Sequence, residues 1–185
     1  MYRRKENYDQ MAKLAISVLV DYGIKEFPIS AIELCQKLGI KLIPYSELSI
    51  EGKNLALKKS KDGFSIKDAA CRFTPTIIYN DDSSISKNRI RITVAHEIKH
   101  IINGDSAEDE LEEDLANYFA RYILCPIPYL IFENISSPLE IAHAFRVSSE
   151  VARYVSKNVK KRREKYRDTI FDYERPLIDM FKTKK

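Results

Sequence analysis

His96-Glu97-Ile98-Lys99-His100 lies in a Pro-free run from Asn88 to Ile102. On an α-helix, residues four apart sit about 40° apart around the axis. His96 and His100 therefore stack on one face and can aim two imidazoles at one cation. Neutral imidazoles suit zinc. Glu97 lies about 100° round from His96, at the rim of that face, where it can take a proton from a water on the metal. The chain has only three histidines, and two of them fall here at this spacing. At roughly one chance in twenty per residue, three fixed residues recur by accident in a few per cent of chains this long. The bland alternative is a pair of half-exposed helix histidines. The flanking sequence weakens it.

Ile90, Val94, Ile98, Ile101 and Ile102 recur at helical spacing, which predicts one buried face. Asn88 is the predicted N-cap and Gly104 the stop. A zinc site needs a third protein ligand and an open position for water. The next segment predicts a second helix, capped by Ser106 with an acidic first turn of Glu108, Asp109 and Glu110. Leu111, Leu115, Tyr118 and Tyr122 form its apolar stripe, and Pro126 ends it. Glu113, Ala116, Asn117 and Ala120 share a mostly small face that lets another helix approach. One acid there can reach the metal. This face argument leaves Glu110 and Glu112 open beside Glu113. Asn117, one turn on, is placed to accept the Nδ1–H of a ligand histidine.

These segments resemble the ImmA/IrrE metallo-endopeptidases. The likeness rests on the His96–His100 motif followed by Glu113-Asp114-Leu115-Ala116-Asn117-Tyr118-Phe119-Ala120. Arg89-Ile90-Arg91-Ile92-Thr93-Val94-Ala95 leads into the motif in the family's manner. Ile77-Ile78-Tyr79-Asn80-Asp81 is similar to the family's strand just upstream. The resemblance covers roughly residues 10 to 160 and is strongest from 77 to 126. It implies zinc held by His96, His100 and Glu113, with Asn117 supporting a histidine and Glu97 as the base. It also implies a narrow, regulatory endopeptidase that acts on a helix-turn-helix repressor rather than a digestive enzyme. Lys99 stands where the family often has Gly, Asp105 where another histidine is common, and Cys125 where Met is frequent. None of these departures removes a ligand or the base.

Length and composition agree with such an enzyme. At 185 residues and 44% hydrophobic content, one domain with a modest appendage is expected. No run of eighteen apolar residues occurs, so no membrane span is predicted. The basic N-terminus, Met1 to Asn7, is not followed by an apolar core, so no signal peptide is read and a cytoplasmic location is expected. Cys35, Cys71 and Cys125 are odd in number and scattered, as buried reduced thiols would be. A net charge of +4 is too mild to identify a partner.

In chain order, helices are predicted over residues 8–22 and over Ala31 to Leu38, the latter stopped by Gly39. A strand follows over Ile40 to Tyr45. Residues 46–63 are polar, with a short strand at Leu55 to Leu57. Ile77-Ile78-Tyr79 is a further β run. In zinc peptidases of this kind an edge strand beside the zinc helix holds an extended substrate by main-chain hydrogen bonds, so that role is expected for it, the alternative being an ordinary sheet strand. Tyr79 is a candidate oxyanion donor by position alone. Beyond Pro126 and Pro128, Ser136-Ser137-Pro138 opens a helix whose apolar face is Leu139, Ala142 and Phe145. Ser148 or Ser149 caps another, and the pair has helix-turn-helix proportions. His143 reads as a structural or surface histidine. Residues 157–167 are the one strongly basic stretch. Such runs bind phosphate backbones, though a solvated helix end is commoner. Phe171, Tyr173, Leu177, Ile178 and Phe181 either pack back on the domain or dock a partner.

The expected fold is α+β: a zincin-like core over residues 1–135, a helix-turn-helix-like segment over 136–167 and a tail over 168–185. The expected function is zinc-dependent cleavage of a specific protein, a helix-turn-helix repressor. DNA binding is not favoured, no membrane partner is expected, and the oligomeric state is left open. Two histidines and a carboxylate also accept other divalent ions. The rival readings are a non-proteolytic regulator, whether metal-bound scaffold or DNA- and repressor-binding protein, and a peptidase-like component of a toxin–antitoxin system. The intact Glu97 speaks against a scaffold, which needs no base.

Overall fold

A computed structural model of the chain describes residues 2–67, 73–104 and 109–182. Its helices are α1 (Tyr2–Asp21), α2 (Ala31–Lys37), α3 (Ile50–Lys59), α4 (Lys87–Asn103), α5 (Glu110–Leu124), α6 (Ile127–Phe132), α7 (Pro138–Phe145), α8 (Ser149–Tyr166) and α9 (Arg175–Lys182). Its strands are β1 (Lys41–Pro44), β2 (Gly63–Ile66) and β3 (Thr76–Tyr79), with single 3-10 turns at Tyr45–Glu47 and Asp172–Glu174. The described residues are thus mixed α+β, mostly helical with a small three-stranded sheet. No helix among them is long and apolar enough to cross a membrane. The chain divides into two compact units, Ser30–Ala120 and Met1–Ile29 with Arg121–Lys185. Those limits do not coincide with the expected boundaries at 135 and 167.

In Ser30–Ala120 the sheet order is β1-β3-β2. β1 runs parallel to β3, with Lys41 opposite Thr76 and Pro44 opposite Tyr79. β2 runs antiparallel to it, with Gly63 opposite Tyr79 and Ile66 opposite Thr76. Ile77 and Ile78 point to opposite faces and both are buried, as a central strand requires. Ile77, Ile78 and Tyr79 therefore do not form an edge. Both sides of β3 are already hydrogen-bonded, to β1 and to β2, and no row of backbone groups is left for a substrate.

Helix α4 packs on β2 and β3. Gly63 permits the close approach. A Cβ there would lie 3.0 Å from both the Ile78 carbonyl oxygen and Thr93 Cγ2. The N-cap of α4 is Ser86, not Asn88. Ser86 is extended (φ −66°, ψ 146°) and its hydroxyl accepts from the Arg89 amide at 3.2 Å, while Asn88 is already inside the helix. Asp62 accepts from Arg89 Nε at 2.6 Å and Nη2 at 2.8 Å, tying the first turn of α4 to the loop before β2. Gly104 ends the helix in the left-handed region (φ 69°), as predicted.

The expected strand at Leu55–Leu57 is helical, as part of α3. Ser49 caps that helix by accepting from the Gly52 amide at 3.1 Å. Leu55 and Leu57 are exposed, and Ala56 between them is the buried residue. Ala56 packs against Tyr45 and Ile78, and Tyr45 donates to the Ser60 carbonyl at 3.0 Å. Ser106, the expected cap of α5, lies outside the described residues. The helix begins at Glu110, and Asp109 accepts from the Leu111 amide at 2.8 Å.

In the other unit α1 packs against α9 and the Asp172–Glu174 turn. Leu177, Ile178 and Phe181 are buried, so the last residues pack back on the fold. Phe27, Tyr129, Phe145 and Phe181 form an aromatic cluster with ring centroids from 4.5 Å apart. The helix pair expected after Ser137 is formed. Ser137 and Glu140 make a capping box, Arg146 turns the chain at φ 48°, and Ser148 caps α8. Ile141 and Phe145 carry the buried face of α7, whereas Leu139 is 79% exposed. The basic stretch falls on the C-terminal half of α8, with Val155 and Val159 inside and Lys157, Lys160 and Lys161 outside. Arg162 turns inward to Glu174 instead.

Candidate metal centre

Helix α4 supplies His96 and His100 one turn apart, with their Nε2 atoms 3.1 Å from each other. Helix α5 supplies Glu113. Its Oε2 lies 3.3 Å from His96 Nε2 and its Oε1 lies 3.2 Å from His100 Nε2. One ligand atom from each of the three falls within 4.8 Å of the others. Of the acids that the face argument left open, Glu113 joins the histidines. Glu112 turns to Lys99, and Glu110 is exposed.

The donor chemistry fits a cation. His96 Nδ1 is 3.2 Å from Asn117 Oδ1. An amide oxygen only accepts, so the proton of a neutral ring is on Nδ1 and the Nε2 lone pair is free. That lone pair faces His100 Nε2 and a carboxylate. Glu113 Oε1 is a buried oxygen with no hydrogen-bond donor. Two imidazole nitrogens and a carboxylate thus converge on one point, the donor set and geometry that a divalent cation such as zinc takes. The convergence is held from outside as well, because Lys67 Nζ donates to the His100 carbonyl at 2.9 Å.

Glu97 is 8% exposed. Burial pushes its carboxyl above the ordinary value. Hydrogen bonds from the Ser65 hydroxyl and main-chain amide, and the neighbouring His96, pull it back, while Glu113 raises it further. Ser65 lies on β2, just beyond the polar stretch 46–63, and was not singled out from the sequence. A lone Ser in a four-residue strand carries no spacing signal, and only the packing of β2 on α4 reveals it. Among the described strands, β2 is the edge beside α4.

Tyr79 ends β3, the central strand of the sheet. Burial raises its hydroxyl pKa, and its charged neighbours are Asp81 and Glu47. His143 is exposed on α7, as expected. Cys35 and Cys125 are buried thiols, and burial pushes Cys35 up to about 12. Cys71 lies outside the described residues. The cation that the sequence placed near the site, Lys99, is fully buried and ion-paired with Glu112.

Comparison with known proteins adds one match. The family model of the M78 peptidases, described as the IrrE N-terminal-like domain, matches residues 35–157. That span contains the sheet, α4, α5 and every residue of the candidate centre. No curated protein matches the chain.

Proposed function

Because this chain belongs to the M78 peptidase family, we propose that it is a zinc-dependent endopeptidase whose centre is His96, His100 and Glu113. One observation carries the reading: ligand atoms of His96, His100 and Glu113 face one point, Glu113 Oε1 among them is buried without a hydrogen-bond partner, and a buried carboxyl group, Glu97, follows the first histidine in the chain. Zinc bound there would polarise a scissile carbonyl and lower the pKa of water at the site. Glu97 takes the proton of the attacking water and passes it to the leaving amine. Ser65 holds the Glu97 carboxylate by two hydrogen bonds. Asn117 holds the His96 tautomer. The outer side of β2 offers main-chain groups to an extended peptide, replacing the expected role of β3.

The substrate is proposed to be one regulatory protein, a helix-turn-helix repressor, as the family resemblance implies, and the enzyme then works in the cytoplasm where such a repressor acts. The test is Glu97→Gln, with zinc content and unfolding temperature measured alongside cleavage of the repressor. Removing a general base costs about 10²–10⁴ in rate, so cutting should fall by that factor with metal and fold retained. Undiminished cutting by Glu97→Gln overturns the mechanism. Casein should be left intact by the wild type, and its rapid digestion would contradict a narrow substrate.

A further inference from the structure

We propose that Lys99 and Glu112 are positioning residues that set the carboxylate of Glu113 against the two histidines, an inference that rests on the metal reading above. Lys99 immediately precedes His100 on α4, and Glu112 immediately precedes Glu113 on α5. Lys99 Nζ is ion-paired with Glu112 Oε2 and also donates to the Glu112 carbonyl oxygen at 3.3 Å. One cation thus grips a single residue by both its side chain and its main chain. The Lys99 side chain is 0% exposed and that of Glu112 is 26% exposed.

Stability alone does not account for this arrangement. Taking an ammonium out of water is costly, and an apolar residue of similar volume is often as stable or more so. What the pair supplies is geometry. Successive residues on a helix are turned by about 100°. Whatever roll of α5 aims Glu112 at Lys99 also fixes where Glu113 points, and here it points at Nε2 of both histidines. The grip on the main-chain carbonyl sets the height of the same turn along α4. Glu112 is kept occupied as well, so one carboxylate rather than two is offered to the cation. Lys99 thereby joins α4 to α5 at the level of the centre, beside the ligand face of α4.

The experiment measures zinc(II) affinity at neutral pH by competition with a chromophoric chelator, using the full chain. Metal-free thermal unfolding is followed in parallel. The proteins are wild type, Lys99→Met, Glu112→Gln and the exchange Lys99→Glu with Glu112→Lys. Partners that orient a ligand change metal affinity by about 10–100-fold when removed. Both single variants should bind zinc weaker by that factor while remaining folded without metal, and the exchange should recover most of the loss. Unchanged affinity in folded single variants overturns the proposal, whatever happens to stability. Opposite shifts also overturn it: tighter binding in Lys99→Met with weaker binding in Glu112→Gln is the mark of charge acting through space. An exchange variant that folds but recovers nothing counts against it too. Where Lys99→Met does not fold, Glu112→Gln, which keeps the carbonyl contact and the side-chain shape, decides by the same criterion. A wild type that binds no zinc removes the metal centre itself, whereas wild-type binding with unchanged variants removes only this pair's role.

Discussion

Glu174 and Glu113 are two carboxylates in different units of the molecule, and their surroundings are opposite. Glu174 is fully buried and its needs are met. Its oxygens accept from Arg162 Nη1 at 2.9 Å and Nη2 at 2.8 Å, from the Phe171 amide at 2.8 Å and from the Tyr122 hydroxyl at 3.4 Å. Glu113 is 38% exposed at its side chain, yet its Oε1 is buried without a donor and faces a histidine nitrogen. The first arrangement is closed and holds the C-terminal segment to α8. The second is open and asks for a cation. Buried polar atoms in native proteins are paired as a rule, so an orphan among metal-binding side chains marks a ligand site.

The comparison predicts different responses to the same truncation. Glu174→Ala leaves the buried Arg162 guanidinium without its carboxylate, holding only the Thr169 carbonyl and the Phe171 ring, which should cost about 3–5 kcal/mol of stability. Metal-free Glu113→Ala should stay within about 0.5 kcal/mol of wild type, because the side chain is more than a third exposed and its Oε1 has no hydrogen bond to lose. Chemical unfolding of both variants in the presence of a chelator measures this. A loss of several kcal/mol in metal-free Glu113→Ala would place the two carboxylates in one class and break the contrast. A smaller effect is expected at Asn117. Asn117→Ala frees the His96 tautomer and should weaken metal binding by about 10–100-fold with little change in metal-free stability. Equal affinity would mean that His96 needs no support from α5.

The smallest effect concerns pH. The hydrogen bond from Arg89 holds the Asp62 carboxyl below its ordinary value. A depressed folded-state pKa stabilises the fold above the unfolded-state value, about 4, and that contribution disappears as pH falls through the lower folded value. Both side chains are substantially exposed, 35% for Asp62 and 58% for Arg89, so solvent screening limits the pair to about 0.2–1 kcal/mol. Arg89→Ala should lose that amount at pH 7 and show a flatter acid limb of stability than wild type. An unchanged acid limb would show that Asp62 does not report on the α4 anchor.

What sequence reading reached, and what it missed, follows from the range of each signal. The pairing of His96 with His100 is local, set by helical pitch, and the structure places both on one face of α4. The small face of α5 narrowed the third donor to a few acids, and helix roll, which is a tertiary quantity, selects Glu113. The same roll buries Lys99 against Glu112, and no spacing rule anticipates a lysine with no exposed side chain. Ser86 displaced Asn88 as the cap because capping depends on the extended backbone before the helix, not on residue type alone. Leu55 and Leu57 suggested a strand because exposed leucines imitate alternation. β3 was expected at an edge by analogy with zinc peptidases, and its second neighbour, β2 (Gly63–Ile66), is too short to have been read as a strand. The pairing that decides which strand is central joins residues far apart in the chain.

The most direct test of the metal reading is metal content by mass spectrometry, on wild type and on Glu113→Ala, after zinc addition at neutral pH and removal of excess. The account predicts one zinc per chain in the wild type and loss or severe weakening of it in the variant. A wild type that retains no metal, or a variant that retains zinc as well as the wild type does, would contradict it.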